Sequence, residues 1–207
     1  FLSDEQNLKS VNNAIDNNKL VIVSVSKPGS EGKRGLDGFY DVGIIGNIMR
    51  KITLPDGKIK ILFQGLAKGR LGEITKASPV SVMTSLLTMD KYNKVKITAT
   101  VKILKNVVTE YSKVNKQFPS DLVSTIAQND DPDRIADLIS SVLKLSKEDS
   151  YNLLRQTNLE KRLITIIKHI KNEIKAITLQ KNVAKEVSSK IEKNNQDYFI
   201  KQQIKTL

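Results

Sequence analysis

The fold turns on residues 158–207, NLEKRLITIIKHIKNEIKAITLQKNVAKEVSSKIEKNNQDYFIKQQIKTL, a stretch with neither Pro nor Gly. Leu163, Ile170, Ile177, Ala184, Ile191 and Tyr198 recur every seven residues. A companion seam is apolar early, at Ile166, Ile167 and Ile174, and polar later, at Gln180, Lys181, Ser188, Asn194 and Asn195. Such a pattern predicts one continuous helix, well packed at first and wetter toward its end. At about 1.5 Å per residue it spans roughly 70 Å, whereas a compact body of about 150 residues is only about 40 Å across. Much of the helix is therefore expected to project and to need a partner: another subunit, a substrate or further chain. Ile177, Ile191 and Tyr198 are the residues expected to make that contact. A fold-back hairpin with its corner at Asn194–Asn195 is the competing reading.

Working backward, no Pro or Gly occurs after Pro132, and three short helices have readable starts. These are Ser120 before Asp121, Asp131 before Pro132 at the first helical position, and Ser146 with Asp149 three residues on. Residues 95–114 mix β-branched composition with a helical repeat at Ile97, Val101, Leu104, Val108 and Tyr111. Periodicity held over that length outweighs propensity, so a helix is predicted. All ten Gly lie between Gly29 and Gly72, which marks a different architecture in the first part of the chain. There, Ser3 with Gln6 forms a capping box for a short helix carrying Leu8, Val11 and Ile15. Lys19–Ser26 reads as a buried strand. Phe39–Thr53 and Lys58–Gln64 flank Leu54-Pro55-Asp56-Gly57 as a hairpin. Gly65–Thr75 and Pro79–Met89 supply further strands of a curled, mostly antiparallel sheet. The fold class is α+β, divided as a β-rich lobe over residues 1–92, a helical bundle over 93–157 and the projecting helix over 158–207.

Composition narrows the chemistry. There is no Cys and one His, His169, which removes thiol catalysis, disulfides and thiolate or imidazole metal clusters. No run of about 18 apolar residues is present to cross a bilayer. The chain opens Phe1-Leu2-Ser3 without Met or a signal pattern, as expected of a piece of a longer product residing in the cytoplasm. The net charge of +12 suggests an anionic partner, but residues 1–115 carry 18 Lys/Arg against 10 Asp/Glu and residues 116–207 carry 16 against 12, so no basic block stands out. With six Arg and ten aromatics, nucleic-acid binding is the lesser reading and a Lys-rich solvated surface the greater.

Motifs that carry chemistry fail on spacing. Gly29, Gly32, Gly35 and Gly38 sit beside Lys33 and Arg34, yet no Gly, four residues, Gly-Lys-Ser/Thr string exists, so residues 27–38 read as a mobile surface loop. The Ser-Lys neighbours at 26–27, 112–113, 146–147 and 189–190 point about 100° apart on a helix and do not form a nucleophile and base. Asp130, Asp131, Asp133 and Asp137 suit a helix N-terminus better than a hard cation. His169 reads as a plain helix residue. No catalytic, cofactor or metal residues are expected. What remains is Val80, Val82, Met83, Leu86, Leu87 and Met89, apolar on both faces of a strand. Such a run is either buried, the commoner case, or a sticky edge on which Met suits promiscuous contacts.

Four blocks, in order, resemble the amino-terminal region of the ATP-dependent Lon proteases. They are Tyr40-Asp41-Val42-Gly43 leading to Leu54-Pro55-Asp56-Gly57-Lys58-Ile59-Lys60-Ile61-Leu62, Gly65-Leu66 and Arg70; Asp131-Pro132-Asp133-Arg134-Ile135-Ala136-Asp137; Leu159-Glu160-Lys161-Arg162-Leu163; and Tyr198-Phe199-Ile200-Lys201-Gln202-Gln203-Ile204-Lys205. The resemblance implies a PUA-like pseudo-barrel lobe, a helical subdomain and a long helix leading to an ATPase module. It implies capture of unfolded or damaged polypeptides and support of a hexamer; for that capture the apolar run on the β lobe offers Met83, Leu86, Leu87 and Met89 as the expected contact residues. It also implies that ATP and magnesium, with the Ser and Lys of the protease centre, belong to later domains, so that no catalysis is expected of this chain. One departure stands out: the family begins with an apolar, Pro-containing strand, and its counterpart would lie ahead of Phe1.

Overall fold

The computed structural model describes residues 5–30, 35–56 and 58–205, with side chains as far as residue 196. In chain order its elements are α1 (Glu5–Asp16), β1 (Leu20–Val23), β2 (Val42–Thr53), β3 (Ile59–Ala77), β4 (Val80–Leu86), α2 (Lys94–Val114), α3 (Ser120–Gln128), α4 (Pro132–Ser140), α5 (Lys147–Arg155) and α6 (Leu159–Lys205). Ser3 of the expected capping box, Gly32, Lys33, Arg34 and the turn residue Gly57 lie outside the described residues. The contacts gather into two units, Phe1–Lys91 with Leu145–Asn158, and Tyr92–Lys144 with Leu159–Leu207.

The first unit is an antiparallel sheet in the order β1-β2-β3-β4, with α1 and α5 against it. Lys19–Ser26, expected to be buried, contributes a strand of four residues at the sheet's margin. Paired on one side only among the described residues, it leaves Leu20 and Val23 exposed. β3 runs unbroken for 19 residues where the sequence suggested two strands divided at Gly65. Glycines of β2 and β3 serve close packing: a Cβ at Gly65 would lie 2.9 Å from the Ile44 side chain, and one at Gly46 of β2 would lie 2.1 Å from the Gln64 carbonyl oxygen and 2.6 Å from the Phe63 ring. The described ends of the 27–38 segment are tied, Lys27 N–H donating to the Gly38 carbonyl at 2.8 Å. α5, grouped by sequence with the helical bundle, packs instead on β2. Ser146 caps it as expected, its hydroxyl accepting from Asp149 N–H at 3.0 Å and donating to the Asp149 carboxylate at 2.6 Å.

The second unit is all helical. Of the periodic residues on α2, Ile97, Leu104, Val108 and Tyr111 are buried, joined by Val107. They meet Leu159, Leu163, Ile166 and Ile170 of α6 and Ile135, Ala136 and Ile139 of α4 in one core. Each fully buried aliphatic side chain contributes about 1.5–3 kcal/mol, so this row holds α6 down by burial alone. Phe118 adds an edge-on contact with Tyr111 at 5.3 Å. Asp131 caps α4 with Pro132 in the first turn, as read from sequence. For α3 the cap is Pro119, without a side-chain bond, and Ser120 is already helical. α6 is the single long helix that the heptads predicted, 47 residues without a break.

Candidate functional site

Two of the four expected contact residues, Met83 and Leu86, are 63% and 68% exposed on β4, the terminal strand of the described sheet. Core packing, the commoner reading of this run, therefore fails for them. Strand alternation sends them to opposite faces. Leu86 stands opposite Gly69, and Met83 lies over Gly72, where an added Cβ would be 3.4 Å from its own. Leu87 and Met89, beyond the strand's end, are half-buried. The site is thus an edge with one large apolar side chain on each flank, not a single patch of four. Val80 and Val82, on the face opposite Met83, line a cleft of about 360 Å³ beneath α1 that Ala14, Leu20, Ile22 and Ile45 also line.

Polar clamps hold this lobe. Asp41, just ahead of β2, accepts from the Tyr151 hydroxyl of α5 on one oxygen and from the Arg70 guanidinium of β3 on the other. Tyr40 stacks on Tyr151 with ring centroids 3.8 Å apart, and Arg155 lies 5.6 Å over the same ring. The hydrogen bond from Tyr151, with help from Arg70, lowers the Asp41 carboxyl below its ordinary range; burial and the same bond raise the Tyr151 phenol. This arrangement fastens three elements and leaves no free nucleophile or base.

In the helical unit the acidic run divides its labour. Asp131 caps α4, while Asp133 and Asp137, one turn apart, grip the guanidinium of Arg162, which is 2% exposed on α6. The sequence reading gave all of these carboxylates to the helix dipole; the ion-pair role of Asp133 and Asp137 was missed. Tyr111 donates to Glu173 at 2.6 Å and accepts from Asn115 at 2.8 Å. Burial first, then the Glu173 bond, raises its phenol to about 12. His169 lies 4.0 Å from Glu173, within the helix as expected. Among the described residues no group of three His, Cys, Asp or Glu is placed to hold a metal, and no helix is long and apolar enough to cross a membrane.

Along α6, every described side chain from Thr178 to Gln196 is exposed. Leu179, Val183, Val187 and Ile191 are 51–65% exposed and follow at intervals of four. At 3.6 residues per turn, their strip is centred about 120° around the helix from the buried row of Leu163, Ile166, Ile170, Ile174 and Ile177. Of the expected assembly residues, Ile177 is half-buried on the packed row, Ile191 belongs to the outer strip, and the side chain of Tyr198 lies outside the described residues. A strict seven-residue repeat slips about 20° per heptad on a straight helix, which is how it joined residues from both strips. The spacing of four at 179–191 was the signal that would have found the others.

A family model described as the ATP-dependent protease La (LON) substrate-binding domain matches residues 1–172. The chain belongs to the Lon substrate-binding domain family. Lon protease of Campylobacter concisus is 41% identical over 207 residues, and that of Helicobacter pylori 37% over 210. Each alignment takes in all of this chain but 26% and 25% of the relative, so the chain spans about a quarter of the length of the Lon proteases it matches. The solved N-terminal domain of Mycobacterium avium complex Lon protease superposes with a TM-score of 0.67 at 14% identity, covering 83% of this chain and 88% of that one. At that identity it supports the Lon N-terminal fold alone: an antiparallel sheet and helices, the last one long. Asp41, Arg70, Asp133, Asp137 and Arg162, which carry much of the Lon resemblance in the sequence, are the residues of the two ionic clamps.

Proposed function

We propose that this chain is the polypeptide-capturing module of an ATP-dependent Lon-type protease, acting in protein quality control. The exposure of Met83 and Leu86 on a terminal strand, in a chain of this family, carries the reading. Folded proteins hide the apolar segments that such an edge would hold, so unfolded or damaged chains are selected, and two side chains give weak, reversible contact suited to handing substrate on. Leu87 and Met89, half-buried, would support the edge rather than touch substrate. ATP, magnesium and peptide-bond cleavage would be supplied by other modules of the protease, with no cofactor bound here, and the setting would be the cytoplasm. The outer strip of α6 would pack on a neighbouring protomer and support a hexamer.

Burying Met83 and Leu86 is worth about 1–2 kcal/mol each by area, less the cost of ordering. Replacing both by Ser is expected to weaken binding of a labelled, permanently unfolded polypeptide at least about 5-fold while the circular dichroism stays unchanged. Unaltered affinity would remove these residues from the site. The same titration repeated from low to high salt tests the +12 charge. Apolar capture holds or strengthens with salt, whereas a nucleic-acid-binding role would show itself as a steep loss for a DNA or RNA probe.

A further inference from the structure

The helical unit carries a groove of about 470 Å³ along one side of α2, between that helix and the start of α4. Its floor is aliphatic: Ile97, 3% exposed, with Val101 and Pro132, both half-buried. The α2 rim is cationic, with Lys94 and Lys102 exposed about two turns apart and Thr98 between them. Lys105 stands at one end. Its ammonium donates to the Ala127 and Asn129 carbonyls at 3.0 and 2.8 Å, closing the last turn of α3 and leaving one of its three N–H groups over. Tyr92, 45% exposed, lines the other end, and Asp130 is the one acid among the lining residues.

We propose that this groove holds extended polypeptide in which an apolar residue stands between two acidic ones on alternate positions. The proposal rests on the polypeptide-capture reading and adds to it a second surface, on helices rather than on a strand, with its own choice of sequence. Charge complementarity selects the occupant. Eight residues of helix separate Lys94 from Lys102, about 12 Å along the axis, and four residues of extended chain cover about 13 Å. A segment with carboxylates at its first and fifth residues therefore meets both ammonium groups, while its third residue turns the same way, onto Ile97, Val101 and Pro132. Three lysines against Asp130 leave the groove cationic, so a basic segment is refused. Phosphate would find the cations, but the lining holds no Arg fork and one aromatic ring, over a floor on which bases cannot stack. A second copy would bring a chain of net charge +12 against the same lysines.

The test uses the whole chain and three fluorescent peptides: a serine chain with glutamate, leucine and glutamate on alternate positions, the same with lysine for both glutamates, and the same with serine for the leucine. The glutamate–leucine peptide is expected to bind at least about 10-fold more tightly than the lysine peptide and about 5-fold more tightly than the leucine-free one. It should also shift the amide resonances of Thr98, Val101 and Lys102. Lys94→Glu with Lys102→Glu, exposed changes that spare the fold, should weaken it at least about 10-fold and turn the preference toward the lysine peptide. Lys185→Glu with Lys190→Glu, the same change of charge on the exposed part of α6, should leave its affinity within about 2-fold. Unaltered binding by the Lys94 and Lys102 variant, an equal loss on the Lys185 and Lys190 variant, or equal binding of the leucine-free peptide would each overturn the proposal. So would a DNA or RNA oligonucleotide that shifts the same resonances and displaces the peptide, or a self-association that the Lys94 and Lys102 variant abolishes. Loss on Met83→Ser with Leu86→Ser but not on the groove variant would overturn it while leaving the capture reading intact. Failure of the native chain to bind these peptides or any unfolded polypeptide would overturn both.

Discussion

Among the described residues Arg162 is the one buried cation of the helical core, while Asp133 and Asp137, its partners, keep 36% and 52% of their side chains in solvent. This inequality sets the direction of a mutational test. Removing the guanidinium leaves two carboxylates that water can reach; removing the carboxylates strands a charge that water cannot. Asp133→Asn with Asp137→Asn is therefore expected to cost about 3–5 kcal/mol, and Arg162→Met, which refills the volume, about 1–2, both read from urea unfolding. Asp41 sets the acid limb of stability. Its pKa is lowered in the folded state, so its contribution is present above the unfolded value near 4 and is lost as pH falls through the lower folded value. Tyr111 acts at the other end: its pKa is raised to about 12, so its contribution is present below about 10 and lost as pH climbs from 10 toward 12. In pH-dependent melts, Asp41→Asn should flatten the first limb and Tyr111→Phe the second. Neither clamp was legible from the sequence as a contact. An acidic pair four apart and an Arg 25 residues later have no meaning until α4 and α6 are laid side by side, and the residues showed only as parts of the ordered blocks that carry the Lon resemblance.

At the scale of elements, α6 holds two helices' worth of physics in one. Ile170 is fully buried, and Ile170→Ala should cost about 2–5 kcal/mol. Val183 and Val187, half out in solvent, should behave oppositely: Val183→Glu with Val187→Glu is expected to leave monomer stability within about 0.5 kcal/mol. If the outer strip joins protomers, that pair should nonetheless reduce self-association in sedimentation velocity. Equal sedimentation of the native and double-Glu chains at high concentration would remove the strip from assembly. Periodicity made α6 and α2 legible, because a helical repeat sustained over 20 residues or more has no other explanation; it overrode the β-branched composition of residues 95–103 correctly. The sheet was less legible. An apolar run such as Lys19–Ser26 looks the same whether a strand has one neighbour or two, and burial follows from that count, which depends on residues far along the chain. The glycines of β3 misled for a related reason: Gly65 and Gly69 answer to Ile44 and Ile45 packing across from β2, not to a turn in their own segment.

For the whole molecule, the order of the chain and the order of its packing differ. The first unit is left at Lys91 and re-entered at Leu145, so its last element is supplied by a segment that the sequence joins to the helices on both sides. α5 brings Tyr151, 7% exposed, to Asp41 and Tyr40, and a backbone bond from Asp90 N–H to the Thr157 carbonyl at 3.1 Å joins the two places where the chain leaves the unit. A cut at residue 92, where composition places the boundary, therefore removes the stacked ring, the hydroxyl that lowers the Asp41 carboxyl and a buried Leu153. A fragment of residues 1–92 is expected to show little near-ultraviolet tyrosine signal and poorly dispersed amide resonances. Adding residues 145–158 in trans, or fusing them through a short Gly-Ser linker, should restore both. A fused chain carrying Tyr151→Phe should recover less fully than one with Tyr151, since the ring can still stack while Asp41 loses its donor. Were the 1–92 fragment to give a dispersed spectrum unaided, α5 would be an accessory to the lobe and the boundary read from composition would stand.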